Sequence, residues 1–316
     1  MKTTTQNLGH GITLVDAEYG QSGIASVYLL EEDGEVAIIE TGTNHSIPYI
    51  KKALEERNLS FDSVRYIIPT HVHLDHAGGA GELMHQCLNA QLVVHPFGAR
   101  HLVDPSKLEA GAIAVYGKEK FQSLYGTIRP VDVSRVIEAP SFFKLKLNGR
   151  KLKFFDTPGH ARHHFCVYDK QSAGIFTGDT FGLSYPQITT DKGPLVFATT
   201  TPVQFDPGSL LQSIDCLISL HPEIMYLTHF GTIAPSQNIV KQLKRSIRQF
   251  SNIALDLQNE PENRVQVIQD RMTTFLLNIL EEMGCHQSPE FCTAVIESDM
   301  TLNAKGLEFW LSKTLI

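Results

Sequence analysis

Thr70-His71-Val72-His73-Leu74-Asp75-His76-Ala77-Gly78-Gly79 decides how this chain reads, because it brings four metal-capable side chains, His71, His73, Asp75 and His76, within six residues. A solvated polar turn accounts for one such histidine but not for the whole run. Imidazole nitrogen and carboxylate oxygen are the usual ligands of zinc, iron and manganese. Two histidines at spacing two can converge on one ion while Asp75 and His76 turn toward a second. Upstream, Val64 to Ile68 is a β-branched and aromatic run that reads as a buried strand ending at Pro69. Downstream, Gly78, Gly79 and Gly81 permit a sharp turn into a helix carrying Leu83 and Met84.

Working outward, three later segments repeat the pattern of a candidate ligand just past a strand. Asp156-Thr-Pro-Gly-His160 follows Leu152 to Phe155, Gly178-Asp179 follows Ile175 to Thr177, and His229 follows Met225 to Thr228. Together these residues supply five histidines and two aspartates. His71, His73 and His160 could hold one ion and Asp75, His76 and His229 the other, with Asp179 between them. Two carboxylates against two divalent ions leave room for a bridging hydroxide.

The series His71-Val-His73-Leu-Asp75-His76, Gly159-His160, Gly178-Asp179 and His229 resembles the metallo-β-lactamase superfamily, specifically its glyoxalase II-like hydrolase branch, over roughly residues 20 to 235. The resemblance implies an α/β fold, a four-layer αββα sandwich, with a dinuclear metal site at one edge between the sheets. It also implies that Asp179 bridges the two ions, that the Glu40-Thr-Gly42 strand end supports the site, and that His164 stands beside a metal without ligating it. The expected division is a catalytic domain over residues 1–235 and a helical extension over 236–316 that covers the active-site side.

Composition fits an enzyme and argues against other classes. The chain has 316 residues, 42% of them apolar, enough for a substantial core. Its net charge of −7 and lack of a Lys/Arg-rich stripe argue against a nucleic-acid partner. No apolar run approaches a bilayer span, and no signal peptide or anchor is readable behind Met-Lys-Thr-Thr-Thr-Gln-Asn, so a cytoplasmic location away from membranes is expected. Cys87, Cys166, Cys216, Cys285 and Cys292 form no close pair in sequence and suit reduced, mostly buried thiols.

Strands are expected over Ser22–Leu30 and Glu35–Glu40, a helix from Ser46, its N-cap, to Arg57, and helix or irregular covering over 97–116. A hairpin is expected around Asn148-Gly149. The segment Phe181 to Asp206 reads as an active-site rim or lid, with Tyr185 offering a hydroxyl, or else as a loop whose aromatics pin it to the core. Beyond His229, apolar residues at helical spacing predict helices around 239–254 and 268–283, and shorter pieces near 289–296 and 304–315. Lys241, Lys244, Arg245 and Arg248 line one helix face, which reads as solvated.

The function expected is hydrolysis by the bridging hydroxide of a thioester, carboxylic ester or lactone. Asp75 would orient the nucleophile or pass a proton, Asp179 would bridge, and Tyr185 would be a further catalytic candidate. Phosphodiester hydrolysis is the alternative. A diiron redox protein is disfavoured, since the superfamily's oxygen-reducing members have a glutamate where this chain has His73. A ligand-binding regulatory protein is the remaining class. Zinc is the default metal, with iron or manganese admissible. The partner expected is a small-molecule substrate, with a homodimer left open.

Overall fold

The computed structural model describes residues 4–201, 203–260 and 262–314. Seven strands lie side by side in chain order: β1 (Thr5–Gly9), β2 (Ile12–Asp16), β3 (Ser26–Glu32), β4 (Glu35–Ile39), β5 (Val64–Ile68), β6 (Gln91–Val94) and β7 (Val136–Glu138). The first four run antiparallel, and β4 to β7 are parallel. A second sheet has the order β13-β12-β11-β10-β9-β8, from β8 (Lys144–Leu147), β9 (Arg150–Asp156), β10 (Phe165–Asp169), β11 (Gly174–Phe176), β12 (Ile224–Leu227) and β13 (Gly231–Ile233).

Period-two alternation sorts the side chains of the first sheet into two cores. Val27, Leu29, Val36 and Ile38 join the core beneath the helices, whereas Tyr28, Leu30, Ala37 and Ile39 face Phe154, Val167, Phe176 and Tyr226 of the second sheet. The helical side of the first core draws on α1 (Ile47–Glu55), α3 (Ala80–Gln86) and α4 (Pro96–Val103), with the one-turn α2 (Leu74–Ala77) between the first two. α5 (Ser106–Tyr116) and α6 (Lys118–Tyr125) follow as a pair. Strands buried on both faces therefore read as apolar runs, as Val36–Ile39 of β4 does.

The chain divides into two compact units. Both sheets, except Ile233 at the end of β13, and α1 to α6 belong to the first, which comprises residues up to Asp156, His163–Gly178 and Pro222–Thr232. The second comprises Thr157–Arg162, Asp179–His221 and the residues from Ile233 on, and contains α7 (Pro207–Ser219), α8 (Gln237–Asp256), α9 (Arg264–Glu282) and α10 (Pro289–Thr314). No helix among the described residues is long and apolar enough to cross a membrane.

Several boundaries differ from those expected. The strand expected from Ser22 starts at Ser26, because Asp16 accepts hydrogen bonds from Ser22 Oγ (2.6 Å) and Gly23 N (2.8 Å) and holds that stretch as a turn. Ser46 stands at the start of α1 but does not cap it with its side chain, since its hydroxyl donates to Ala17 O at 2.7 Å. The two short C-terminal pieces are one helix, α10, because nothing between Ile296 and Ala304 breaks it; Leu315 lies outside the described residues. The Asn148-Gly149 hairpin is as expected, both residues having positive φ (42° and 96°) between β8 and β9.

The segment after Asp179 is tied down within the second unit, and the loop reading that pins it to a core prevails over a lid. Phe181 and Phe197 are fully buried, and Leu183 pairs with Phe197. Ala198 N donates to Ser246 Oγ on α8 (2.9 Å), and Thr200 N to Asn303 Oδ1 on α10 (2.6 Å). The α8 basic series is also partly consumed internally: Lys244 pairs with Asp215, and Arg245 lies 3.5 Å from Glu282 and over the Phe275 ring.

Candidate metal centre

β5 ends at Ile68, and the loop after it delivers His71 and His73 before α2 carries Asp75 and His76 on one turn. His71 and His76 are fully buried, His73 and Asp75 half-buried. His71 Nε2 lies 2.8 Å from His73 Nδ1. His229, supplied by the turn after β12, points Nε2 at Asp75 Oδ2 (3.3 Å), and His76 Nε2 is 3.5 Å from the same oxygen. Ligand atoms of Asp75, His76 and His229 all lie within 4.8 Å of one another.

The outer nitrogens fix the tautomers. His76 Nδ1 faces Glu40 Oε1 at 3.1 Å, and His229 Nδ1 faces the carbonyl of Ile24 at 2.9 Å. A carboxylate and a carbonyl can only accept, so each Nδ1 carries a proton and Nε2 is the atom that each histidine would offer to a cation beside Asp75. Two imidazole lone pairs converging on a carboxylate form a donor set that suits a divalent cation, and the carboxylate and carbonyl behind them are the supporting partners metal-binding histidines ordinarily have. The residues present therefore fit the metal that the sequence implies.

Glu40 is the hub of that support. It is buried just past β4 with φ at 65°, a strained conformation for a residue other than glycine. Its carboxylate also accepts from Thr70 N (3.0 Å), Thr70 Oγ1 (2.6 Å) and Thr228 Oγ1 (2.9 Å). The two threonine roles were not foreseen. Their signal was legible as a repeated Thr-His pair, Thr70-His71 and Thr228-His229, each placing a hydroxyl one residue ahead of a candidate ligand. His164, expected beside the site, is fully buried with its ring 4.9 Å from that of His71. Gly178 is required there: with φ at 48°, an added Cβ would come within 2.4 Å of both His164 Nε2 and Thr70 Oγ1. Asp156 Oδ1 lies 3.1 Å from His95 Nε2.

His160 and Asp179 belong to the second unit, with His160 Nε2 3.4 Å from Asp179 Oδ2 and both side chains buried. Gly159 positions His160. Its φ is 127°, and a Cβ there would lie 2.2 Å from Leu210 N in the first turn of α7, which Asp206 caps. Tyr185 is buried, and its hydroxyl donates to Asp299 Oδ2 at 2.9 Å. His101 is half-buried with its ring 6.4 Å from His163.

Comparison with known proteins follows this geometry. The sequence profile of the metallo-beta-lactamase superfamily matches residues 21–229. The metallo-beta-lactamase fold-containing protein ST1585 of Sulfurisphaera tokodaii is 29% identical over 72% of this chain and 79% of its own length. The solved structure of ST1585 has a TM-score of 0.66 at 24% identity, covering 95% of this chain and 98% of that one, a likeness of fold. Human acyl-coenzyme A thioesterase MBLAC2 is 24% identical over 55% of this chain and 64% of its own. The hydroxyacylglutathione hydrolase of Pelagibacter ubique is 26% identical over 41% of this chain and 40% of its own. The matches thus span less than two thirds of both named hydrolases.

Proposed function

Since the chain belongs to the metallo-β-lactamase superfamily and has its α/β sandwich of two sheets flanked by helices, we propose that it is a metal-dependent hydrolase of esters of carboxylic acids, with thioesters first and lactones included. The observation that carries this reading is the convergence of His76 Nε2 and His229 Nε2 on Asp75, with both outer nitrogens committed to acceptors. The printed names of two relatives, an acyl-coenzyme A thioesterase and a hydroxyacylglutathione hydrolase, favour carbonyl chemistry.

In this proposal Asp75, His76 and His229 would hold one ion and His71, His73 and His160 the other, with Asp179 as a further ligand shared by the centre. Zinc is the first choice of metal, with iron or manganese admissible. When bound, two such ions supply Lewis acidity toward a carbonyl oxygen and acidify a water near neutral pH. Asp75 takes up the proton of the attacking water or orients it. Glu40 and the Ile24 carbonyl keep His76 and His229 from rotating, so little reorganisation accompanies reaction.

The test is a matched panel of thioesters, lactones and phosphodiesters offered to metal-loaded protein, with metal content measured in parallel. Turnover of thioesters or lactones is expected. Turnover of phosphodiesters alone would overturn the carbonyl reading, and fewer than one transition-metal ion per chain after loading with zinc, iron or manganese would remove the dinuclear one. Asp179→Ala is expected to lower kcat/KM at least about 100-fold, the scale of losing metal support; normal activity in that variant would refute that shared role.

A further inference from the structure

Leu74 stands one residue before Asp75 on α2, yet its side chain turns into a different environment: a cluster with Phe121 and Tyr125 of α6, onto which Tyr19, Ile113 and Tyr116 pack. Tyr19 and Tyr125 are stacked with ring centroids 6.2 Å apart and their hydroxyls hydrogen-bonded at 3.0 Å; Tyr116 lies 6.0 Å from Tyr125. A patch built only to hold two helices in place would bury those rings. Here α5 buries none of its residues, Tyr19, Ile113 and Tyr116 stay half-exposed, and Val115 is 47% exposed. Such partly open apolar surface beside a candidate centre is how ligand sites are commonly lined.

We propose that Tyr19, Ile113 and Tyr116, seated on Leu74 and Tyr125, form the wall that receives the unbranched hydrocarbon chain of the substrate's acyl group. The inference rests on the hydrolase reading above and names the half of the ester that this wall selects. In a fatty acyl thioester the charge and peptide groups lie on the leaving half and the hydrocarbon on the acyl half, and this surface is hydrocarbon and neutral phenol. Burial raises the pKa of both Tyr116 and Tyr125, and the negative charge of Asp75 adds to the rise at each. The link to the centre is Leu74, which packs with Tyr125 and directly precedes Asp75 on α2. The cation recorded over the wall is Lys120, whose Nζ is 5.8 Å from the Tyr116 ring centroid.

Titration calorimetry of the metal-loaded protein with acetate, butanoate, octanoate and decanoate reads the wall without turnover. Each fully buried methylene tightens binding by roughly fourfold; octanoate is therefore expected to bind at least about tenfold more tightly than acetate, allowing for partial burial. Tyr116→Ala and Ile113→Ser should each cut that ratio at least about fivefold, Tyr116→Phe should preserve it, and Val133→Ala, elsewhere on the surface, should leave it unchanged. Equal affinity for acetate and octanoate, or an unaltered ratio in both Tyr116→Ala and Ile113→Ser, would overturn the proposal. A protein that binds the series as expected but hydrolyses no ester loses the hydrolase reading and keeps this site; ester hydrolysis indifferent to acyl length, with equal binding of the acids, does the reverse.

Discussion

Glu40 concentrates more of the candidate centre than any single proposed ligand, since one carboxylate accepts from His76, Thr70 and Thr228 at once. Replacing it with Gln keeps the shape but removes the charge that favours Nδ1–H on His76. Glu40→Gln is expected to weaken metal affinity about tenfold, within the range for supporting partners of metal ligands, as read by competition with a chelator; unchanged affinity would reduce Glu40 to a packing role. Tyr185 offers a contrast. Its hydroxyl is engaged by Asp299 of α10, so Tyr185→Phe should leave metal content intact and cost about 1 kcal/mol or more of stability in urea unfolding, the worth of one hydrogen bond plus a carboxylate left with fewer donors. A Tyr185→Phe protein of native stability with altered turnover would instead favour a direct catalytic role.

At the scale of the element, the turns decide where ligands stand. Gly159→Ala forces a Cβ against the backbone of α7 in a conformation that L-residues avoid, so a loss of about 2 kcal/mol or more is expected in urea unfolding, with weaker metal retention because His160 moves with it. A stable Gly159→Ala protein with full metal content would contradict that account. The strands that carry candidate ligands were legible because Val64–Ile68, Leu152–Phe155 and Met225–Leu227 are mostly apolar runs with polar residues following them at Thr70, Asp156 and Thr228. The hairpin of β1 and β2 was not read, since β1 is largely exposed and its Thr-Gln-Asn composition carries little strand signal. α5 was blurred for a related reason. A helix with no buried residue has no single apolar face for periodicity to find. The segment from Phe181 to Asp206 reads two ways from sequence, lid or pinned loop, because its backbone partners are side chains on α8 and α10, dozens of residues downstream.

For the molecule as a whole, stability toward acid hinges on a buried ion pair that includes none of the proposed ligands. Arg150 on β9 donates from Nε and Nη2 to the two oxygens of Asp169 on β10, at 3.0 and 2.5 Å, and neither side chain is exposed. Burial works against the charged carboxylate, but the hydrogen bonds from Arg150 and Ser172 and the guanidinium charge outweigh it and hold the Asp169 pKa below its usual value. A depressed folded-state pKa contributes stability that is fully present above the unfolded carboxylate pKa of about 3.9 and is lost as pH falls through the folded value. Asp169→Asn is therefore expected to cost about 3–5 kcal/mol at pH 7, with the gap to the native protein narrowing below about pH 4. A pH-independent gap in urea unfolding would show that the charge is not what stabilises the pair.

The in-order first sheet has a consequence for biosynthesis. Seven strands that pair with their predecessors can zip up as the chain leaves the ribosome, and by β7 the nascent protein already displays His71, His73, Asp75 and His76. His229 arrives only with β12, whose carbonyl at Leu227 is gripped by the hydroxyl of Tyr28 from β3. A nascent chain that has passed β7 but not β12 therefore holds Asp75 and His76 without His229, so the ion proposed for that trio would find its ligand set complete only late in translation.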